Sequence, residues 1–206
     1  MRRIAPGTAQ SLAVAAASLL LGIIVWLGLI SRPAPFNLDF ESGIVGRPPA
    51  GWQMKAVGGN GFQAVLVDRN CPQGRNCVML SGPASPAARS FINLYAMLPP
   101  RSSAAQDFRF GAPYQIVNKD PQRARRIRYR AAVRVEGANT RARLWFRIER
   151  REGGRTFQKS PDIIGAEWNY YTIDADVAAG AQQIAFGFVL CGPGRAWVDD
   201  ASFTEL

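Results

Sequence analysis

The chain has 206 residues, with 25 Lys or Arg against 15 Asp or Glu, a formal net charge of +10, and no histidine. Without histidine there is no Ser-His-Asp or Cys-His nucleophile, no His-ligated zinc and no imidazole base. Three cysteines are too few for a four-thiolate zinc site, and 20 Gly with 14 Pro favour a loop-rich β domain over a helical bundle.

Residues 12–30, LAVAAASLLLGIIVWLGLI, are an uncharged run of 19. As a helix they span about 28 Å, close to the roughly 30 Å hydrocarbon core of a bilayer. Arg2 and Arg3 precede the run and Arg32 follows it, so the charge bias places the N-terminus in the cytoplasm. A cleaved signal peptide has a shorter apolar region, about 7–15 residues, and a small-x-small site. Ser31-Arg32-Pro33-Ala34-Pro35 offers no such site. The expected division is a cytoplasmic segment 1–11, a transmembrane signal anchor 12–30, a Pro-rich stalk 31–36 and an extracytoplasmic domain 37–206.

Cys71 and Cys77 enclose Pro-Gln-Gly-Arg-Asn, a turn-forming segment, and in an exported domain they are expected to bridge. Cys191 ends an apolar run and is expected to stay free.

Period-two patterns recur along the domain. Residues 62–67, 78–80 and 91–94 are plausible strands. In 126–135, RIRYRAAVRV, Ile127, Tyr129, Ala131, Val133 and Val135 share one face, and Arg126, Arg128, Arg130 and Arg134 share the other. In 141–148, Ala142, Leu144, Phe146 and Ile148 alternate with Arg141, Arg143, Trp145 and Arg147. The link 136–140 reads as a hairpin loop that pairs these two strands and sets the arginine rows side by side. Residues 168–177 form another alternating strand, with Trp168, Tyr170, Thr172, Asp174 and Asp176 on one face. Residues 184–191 read as a central strand buried on both sides, and 197–203 as a last short strand. Residues 99–121 show no clear pattern and are expected to be an irregular loop. Many short strands separated by Gly-Pro clusters give an all-β antiparallel sandwich behind one transmembrane α-helix.

The two ends of the domain carry further motifs. It opens Asn37-Leu38-Asp39-Phe40-Glu41-Ser42-Gly43, then Pro49-Ala50-Gly51-Trp52, and closes Gly192-Pro193-Gly194-Arg195-Ala196-Trp197-Val198-Asp199-Asp200. This framework resembles the galactose-binding-like β-sandwich (jelly-roll) of bacterial carbohydrate-binding modules. The resemblance implies a non-catalytic domain and a structural calcium between the first and last strands, with Glu41 and Asp200 as side-chain ligands. Sugar-binding members commonly present several exposed aromatics. Here the comparable strand positions are largely arginine.

Asp199 and Asp200 are adjacent, so regular strand alternation points them to opposite faces. Asp174 and Asp176 share a face about 6.5–7 Å apart, but an open face does not raise an acid's pKa, and pairing with the Arg strands is expected instead. Gly59-Asn60-Gly61-Phe62-Gln63-Ala64 matches a dinucleotide-binding fingerprint by letter but lacks the strand and helix around it, and reads as a turn.

The arginine face is a candidate anion surface, with Arg128, Arg143, Trp145 and Arg147 as ligand-binding residues. The plain alternative is a solvated face neutralised by Asp174, Asp176 and Glu149. Export and the scarcity of interleaved aromatics exclude nucleic acid as the partner. The expected function is a non-enzymatic β-sandwich anchored in a bacterial inner membrane, its domain periplasmic or extracellular, binding an anionic glycan, lipid headgroups or another envelope component. The other reading is an accessory subunit of an integral membrane protein complex, which Gly22 and the small residues Ala13, Ala15, Ala16 and Ala17 would favour through close helix packing.

Overall fold

The computed structural model describes residues 34–57, 61–83, 110–118, 124–150 and 153–206. The expected anchor at 12–30, the strand at 91–94 and Gly59 and Asn60 lie outside them. Among the described residues no helix is long and apolar enough to cross a membrane.

Ten strands form two sheets: β1 (Gln53–Val57), β2 (Gln63–Val67), β3 (Cys77–Ser81), β4 (Phe110–Asn118), β5 (Arg125–Glu136), β6 (Arg141–Arg150), β7 (Arg155–Lys159), β8 (Gly165–Val177), β9 (Ala181–Cys191) and β10 (Arg195–Glu205). The first sheet runs β1-β4-β9-β6-β7 and the second β2-β3-β10-β5-β8. All pairings are antiparallel. The two sheets stack as a sandwich, as the alternating strands require once each must bury one face.

The core lies between the sheets. Phe186, Phe188 and Leu190 of β9 and Leu144, Phe146 and Ile148 of β6 meet Ile127, Tyr129 and Val133 of β5, Leu80 of β3 and Val198 of β10. Tyr129 touches Phe186 edge-on, with ring centroids 5.2 Å apart. The opening motif closes one end of this core. Phe40 and Trp52 stand 5.1 Å apart by ring centroid, and Trp52 Nε1 donates to the Asn37 carbonyl at 3.0 Å. Asn37 ties its own turn together, accepting from the Ser42 amide and donating to the Ser42 and Ala50 carbonyls.

The alternation in β5, β8 and β9 is as the sequence predicts, and every residue of β9 from Ile184 to Cys191 is buried. The hairpin expected between 126–135 and 141–148 is not formed. β5 pairs with β8 and β10, β6 pairs with β7 and β9, and the link after Glu136 crosses from one sheet to the other. In opposite sheets the apolar rows of β5 and β6 bury each other across the core, with Tyr129 and Phe146 5.8 Å apart by ring centroid, and β5 against β8 sets Arg128 opposite Asp174 and Arg126 opposite Asp176.

The irregular loop expected at 99–121 also needs correction, because Phe110–Asn118 is β4, paired on both sides. Gly111 and Pro113 interrupt its alternation and hide the strand. Pro113 in turn packs where β9 has Gly187, and a Cβ there would collide with the Pro113 carbonyl. The last strand, read as 197–203, is an eleven-residue central strand.

Candidate functional site

The four residues expected to bind ligand together are split between the two outer faces. Arg143, Trp145 and Arg147 lie on the outside of the first sheet, Arg128 on the outside of the second.

Trp145 is fully buried. Its ring stacks on Phe157 with centroids 6.0 Å apart and leans on Tyr114 at 6.2 Å, within an outward-facing cluster of Phe110, Ala112, Ala185, Val189 and Cys191. It offers no open ring face, because a side chain that points away from the main core is here part of a second one. Arg143 is 9% exposed and hydrogen bonds Asp162, which also takes Arg141 Nη1 at 3.4 Å. Burial pushes the Asp162 carboxyl up, but the hydrogen bonds and charges of Arg143 and then Arg141 outweigh it and hold the group below the ordinary carboxylate range. Arg147 Nε lies 3.0 Å from Glu149 Oε1, and Arg155 approaches the same oxygen at 3.6 Å.

On the second sheet, Arg128 grips Asp174 with two hydrogen bonds, Nε to Oδ1 at 2.8 Å and Nη2 to Oδ2 at 2.9 Å. The first of these and the Arg128 charge keep Asp174 below its usual range. Arg126 reaches Asp174 at 3.5 Å and Asp176 at 4.0 Å. The Nε and Nη2 edge of Arg128 is therefore occupied, and this end of the face is neutralised.

The other end of the same face differs. Arg130 lies over the Tyr170 ring, 3.5 Å from its centroid, and has no carboxylate partner among the described residues. Arg134 lies 4.0 Å over Trp197 and 5.6 Å from Trp168 by ring centroid, with Nη1 on Glu136 at 2.7 Å. Tyr170 is 44% exposed. Trp168, Tyr170, Trp197, Arg130 and Arg134 thus form one row of aromatic rings and guanidinium groups across β8, β5 and β10. Alternation places each of these residues on a strand but does not join them. Register alone joins them, with Arg134 opposite Trp197 and Ala132 opposite Tyr170.

The loop closed by Cys71 and Cys77 edges this row. The two cysteines are bridged, and Cys191 is free and buried, its thiol pushed up to about 12, mainly by burial. Trp168 Nε1 donates to the Asn70 carbonyl at 2.9 Å. Two carboxylates hold the loop by its amides. Glu41 Oε1 accepts from Arg75 N at 2.8 Å and Asn76 N at 3.0 Å, and Asp199 Oδ2 accepts from Gln73 N at 3.2 Å.

A β-bulge between Asp199 and Ser202, with Asp200 at φ 43°, breaks the alternation expected of the two aspartates. Asp200 accepts from the Tyr170 hydroxyl at 2.6 Å, so both carboxylates bond to the loop-bearing side. Asp199 is fully buried, and its carboxyl is pushed up to about 6 by burial first and then by the charges of Asp200 and Glu41, against the pull of two backbone amides. Glu41, Asp199 and Asp200 have no salt-bridge partner among the described residues, and oxygen donors in a locally negative setting suit a hard cation. Glu41 and Asp200 share no contact, and among the described residues no three such ligands converge on one point. The charges of both residues expected to hold calcium act on Asp199.

No family model matches the chain. Over 111 residues it is 28% identical to an uncharacterized HTH-type transcriptional regulator of Bacillus subtilis, a match that takes in 52% of this chain and 38% of that protein. The chain therefore spans well under half the length of that relative. Among solved structures, the enzymatically active domain of bacteriophage CBA120 tailspike protein 4 superposes with a TM-score of 0.56 at 12% identity, over 84% of this chain and 21% of that one. A family 61 carbohydrate-binding module in complex with β-1,4-galactotriose gives 0.53 at 14% identity, over 85% of this chain and all of the module. The family 22 xylan-binding domain of Paenibacillus barcinonensis Xyn10C gives 0.50 at 13% identity, over 81% and 90%. At these identities the likeness is one of fold: the chain has the two-sheet β-sandwich found in these carbohydrate-binding modules.

Proposed function

We propose that this protein is a non-catalytic β-sandwich that binds a glycan on the outer face of its second sheet, held at a bacterial inner membrane by residues 12–30 with the sandwich outside the cytoplasm. The carrying observation is the row of Trp168, Tyr170 and Trp197 interleaved with Arg130 and Arg134. Trp197 is buried beneath Arg134, so the rings offered to a sugar are Trp168 and the 44% exposed Tyr170, with guanidinium N–H groups beside them for its oxygens. A non-enzymatic reading is supported by the carboxylates. Asp174 is held ionised by Arg128, and Asp199, the one carboxyl raised among the described residues, is buried with both oxygens on backbone amides. A bound calcium would be held by Glu41 and Asp199 with Asp200 beside them, and its chemistry there would be to neutralise charge and fix the loop.

Fractionation should recover the full-length chain with membranes; a soluble species beginning near residue 32–36 would remove the anchor. For binding, the full-length chain is titrated with a panel of neutral and acidic oligosaccharides while tryptophan fluorescence is followed. Binding that is lost in a Trp168→Ala, Tyr170→Ala double variant of unchanged melting temperature supports the site. Absence of binding across the panel overturns it.

A further inference from the structure

Ile44 and Val45 are 72% and 47% exposed, the only two large apolar residues left in solvent side by side in sequence among the described residues. Exposed apolar side chains scattered singly are ordinary, but an adjacent pair at the tip of a turn is a small apolar patch. The turn is held firmly. Arg47 N donates to the Ile44 carbonyl at 3.0 Å. The turn also lies along the outer edge of β2, with Gly46 N on the Leu66 carbonyl at 2.8 Å and Leu66 N on the Arg47 carbonyl at 2.9 Å. Polar residues at 44 and 45 would serve this backbone equally well, so a partner surface is what accounts for the apolar pair.

The place of the turn in the fold names that partner. β8 faces β6 and β7 across the core, so β1 and β2 share the opposite side of the sandwich. The chain enters on that side. Phe36 N donates to Oε1 of the buried Gln115 on β4, the neighbour of β1, at 3.0 Å, and Gln115 Nε2 donates back to the Phe36 carbonyl. With residues 12–30 in a bilayer, the six residues from 30 to 36 reach at most about 20 Å, so this side of the sandwich is kept close to the membrane surface. Its charge does not oppose contact. Residues 36–69 carry Arg47, Lys55 and Arg69 against Asp39, Glu41 and Asp68, a balance of zero in a chain of +10. Asp68 and Arg69, which border the same depression as Val45, are themselves of opposite sign. A contact made here rests on the apolar pair and not on charge.

We infer that the Ile44–Val45 turn dips into the bilayer interface beside the anchor, with the two apolar side chains at the boundary of the acyl chains and Arg47 at headgroup level. The inference rests on the anchor proposed above and is independent of glycan binding.

The test places the full-length chain in phosphatidylcholine nanodiscs and labels an introduced thiol with the environment-sensitive fluorophore nitrobenzoxadiazole. Cys191 is buried and Cys71 and Cys77 are bridged, so the new thiol alone takes the label. Ile44→Cys is compared with Ile164→Cys. Ile164 is 69% exposed and precedes β8, the other edge of the second sheet, about 19 Å from β2 across four strand spacings. All the changes are at exposed positions, and unchanged melting temperatures confirm the fold. The label at 44 should emit at shorter wavelength, resist quenching by aqueous iodide and be quenched by a nitroxide-bearing lipid. The label at 164 should show the reverse. A label at Val45→Cys should behave as at 44 and return to the emission of an aqueous label when Ile44→Asp is added. Iodide quenching equal at 44 and 164 overturns the contact while the anchor stands. Shielding at 44 without quenching by the nitroxide lipid assigns the turn to a protein surface, such as a second copy, and also overturns it. A chain that does not co-elute with the nanodiscs removes the anchor and the contact together.

Discussion

Arg134 and Trp197 face each other directly in the β5–β10 register, and the guanidinium rests 4.0 Å above the centre of the indole. The pair joins two neighbouring strands on the outside of the sandwich, where Trp197 is nevertheless buried. A cation over a ring at such a partly desolvated site contributes about 1 kcal/mol. Arg134→Met, which keeps the stem, should lower unfolding stability by about that amount. Trp197→Ala should cost about 3–5 kcal/mol by removing a large buried side chain. In a double-mutant cycle by denaturant unfolding, the two should fall short of additivity by about 1 kcal/mol. Full additivity would show that the stack contributes nothing.

Arg128 and Arg143 lie on opposite faces and share no partner, so their effects should add. Arg128→Gln loses an exposed, solvent-screened pair with Asp174 and should change stability little. Arg143→Gln leaves Asp162 with Arg141 alone and should cost about 1–3 kcal/mol. A coupling well above about 0.5 kcal/mol in the cycle would contradict the separation of the two rows.

Asp162 sets a pH dependence. Its folded pKa lies below the reference value of 3.8, so the folded state binds fewer protons than the unfolded chain below about pH 4. Its stabilisation is complete above the unfolded pKa and is lost as pH falls through the folded one. Unfolding free energy measured from pH 5 to pH 2 should therefore fall less steeply in Asp162→Asn than in the unmodified protein. Identical slopes would remove the Asp162 contribution.

The cysteine assignment predicts one thiol in the denatured, unreduced chain and none that reacts in the folded protein at pH 8, since Cys191 is buried and its thiol is pushed up to about 12. Removing the bridge with Cys71→Ser and Cys77→Ser should cost about 2 kcal/mol for a loop of this length. Three reactive thiols on denaturation would rule the bridge out.

Calcium, if bound by Glu41 and Asp199, stabilises the native state alone. The melting temperature should rise between chelator and millimolar calcium, and the rise should vanish in Glu41→Gln. An unchanged melting temperature would leave the two carboxylates as clamps for the disulfide loop.

How far the sequence could be read depended on how local the signal was. The faces of β5, β8 and β9 followed from alternation within single strands, and the opening motif folds on itself through Asn37, Phe40 and Trp52. Strand partners are long-range, and the short link at 136–140 has the composition of a hairpin loop although the chain changes sheets there. Trp145 points outward as alternation predicts, yet alternation says only which way a side chain points, and a second apolar cluster covers it. β1 and β7 are five-residue edge strands, QMKAV and RTFQK, without an apolar face long enough to be seen. The aromatic row escaped for the same reason as the pairing. Trp168, Arg134 and Trp197 come from three strands, and only the register brings them together.

The strand order has a consequence for how the chain acquires its shape. β9 and β10, which follow the other eight strands of the sandwich in the chain, are the middle strand of the first and of the second sheet. Until both are made, each sheet is two separate two-stranded pieces, too small to be stable alone in water. The earlier strands therefore have no completed layer to dock on during synthesis, and folding waits for the final segments, as expected of a topology dominated by distant pairings. A nascent chain in this state can still be threaded through a narrow channel. Loss of the last segment would dismantle both layers at their centre, whereas loss of an edge strand such as β7 would only trim one.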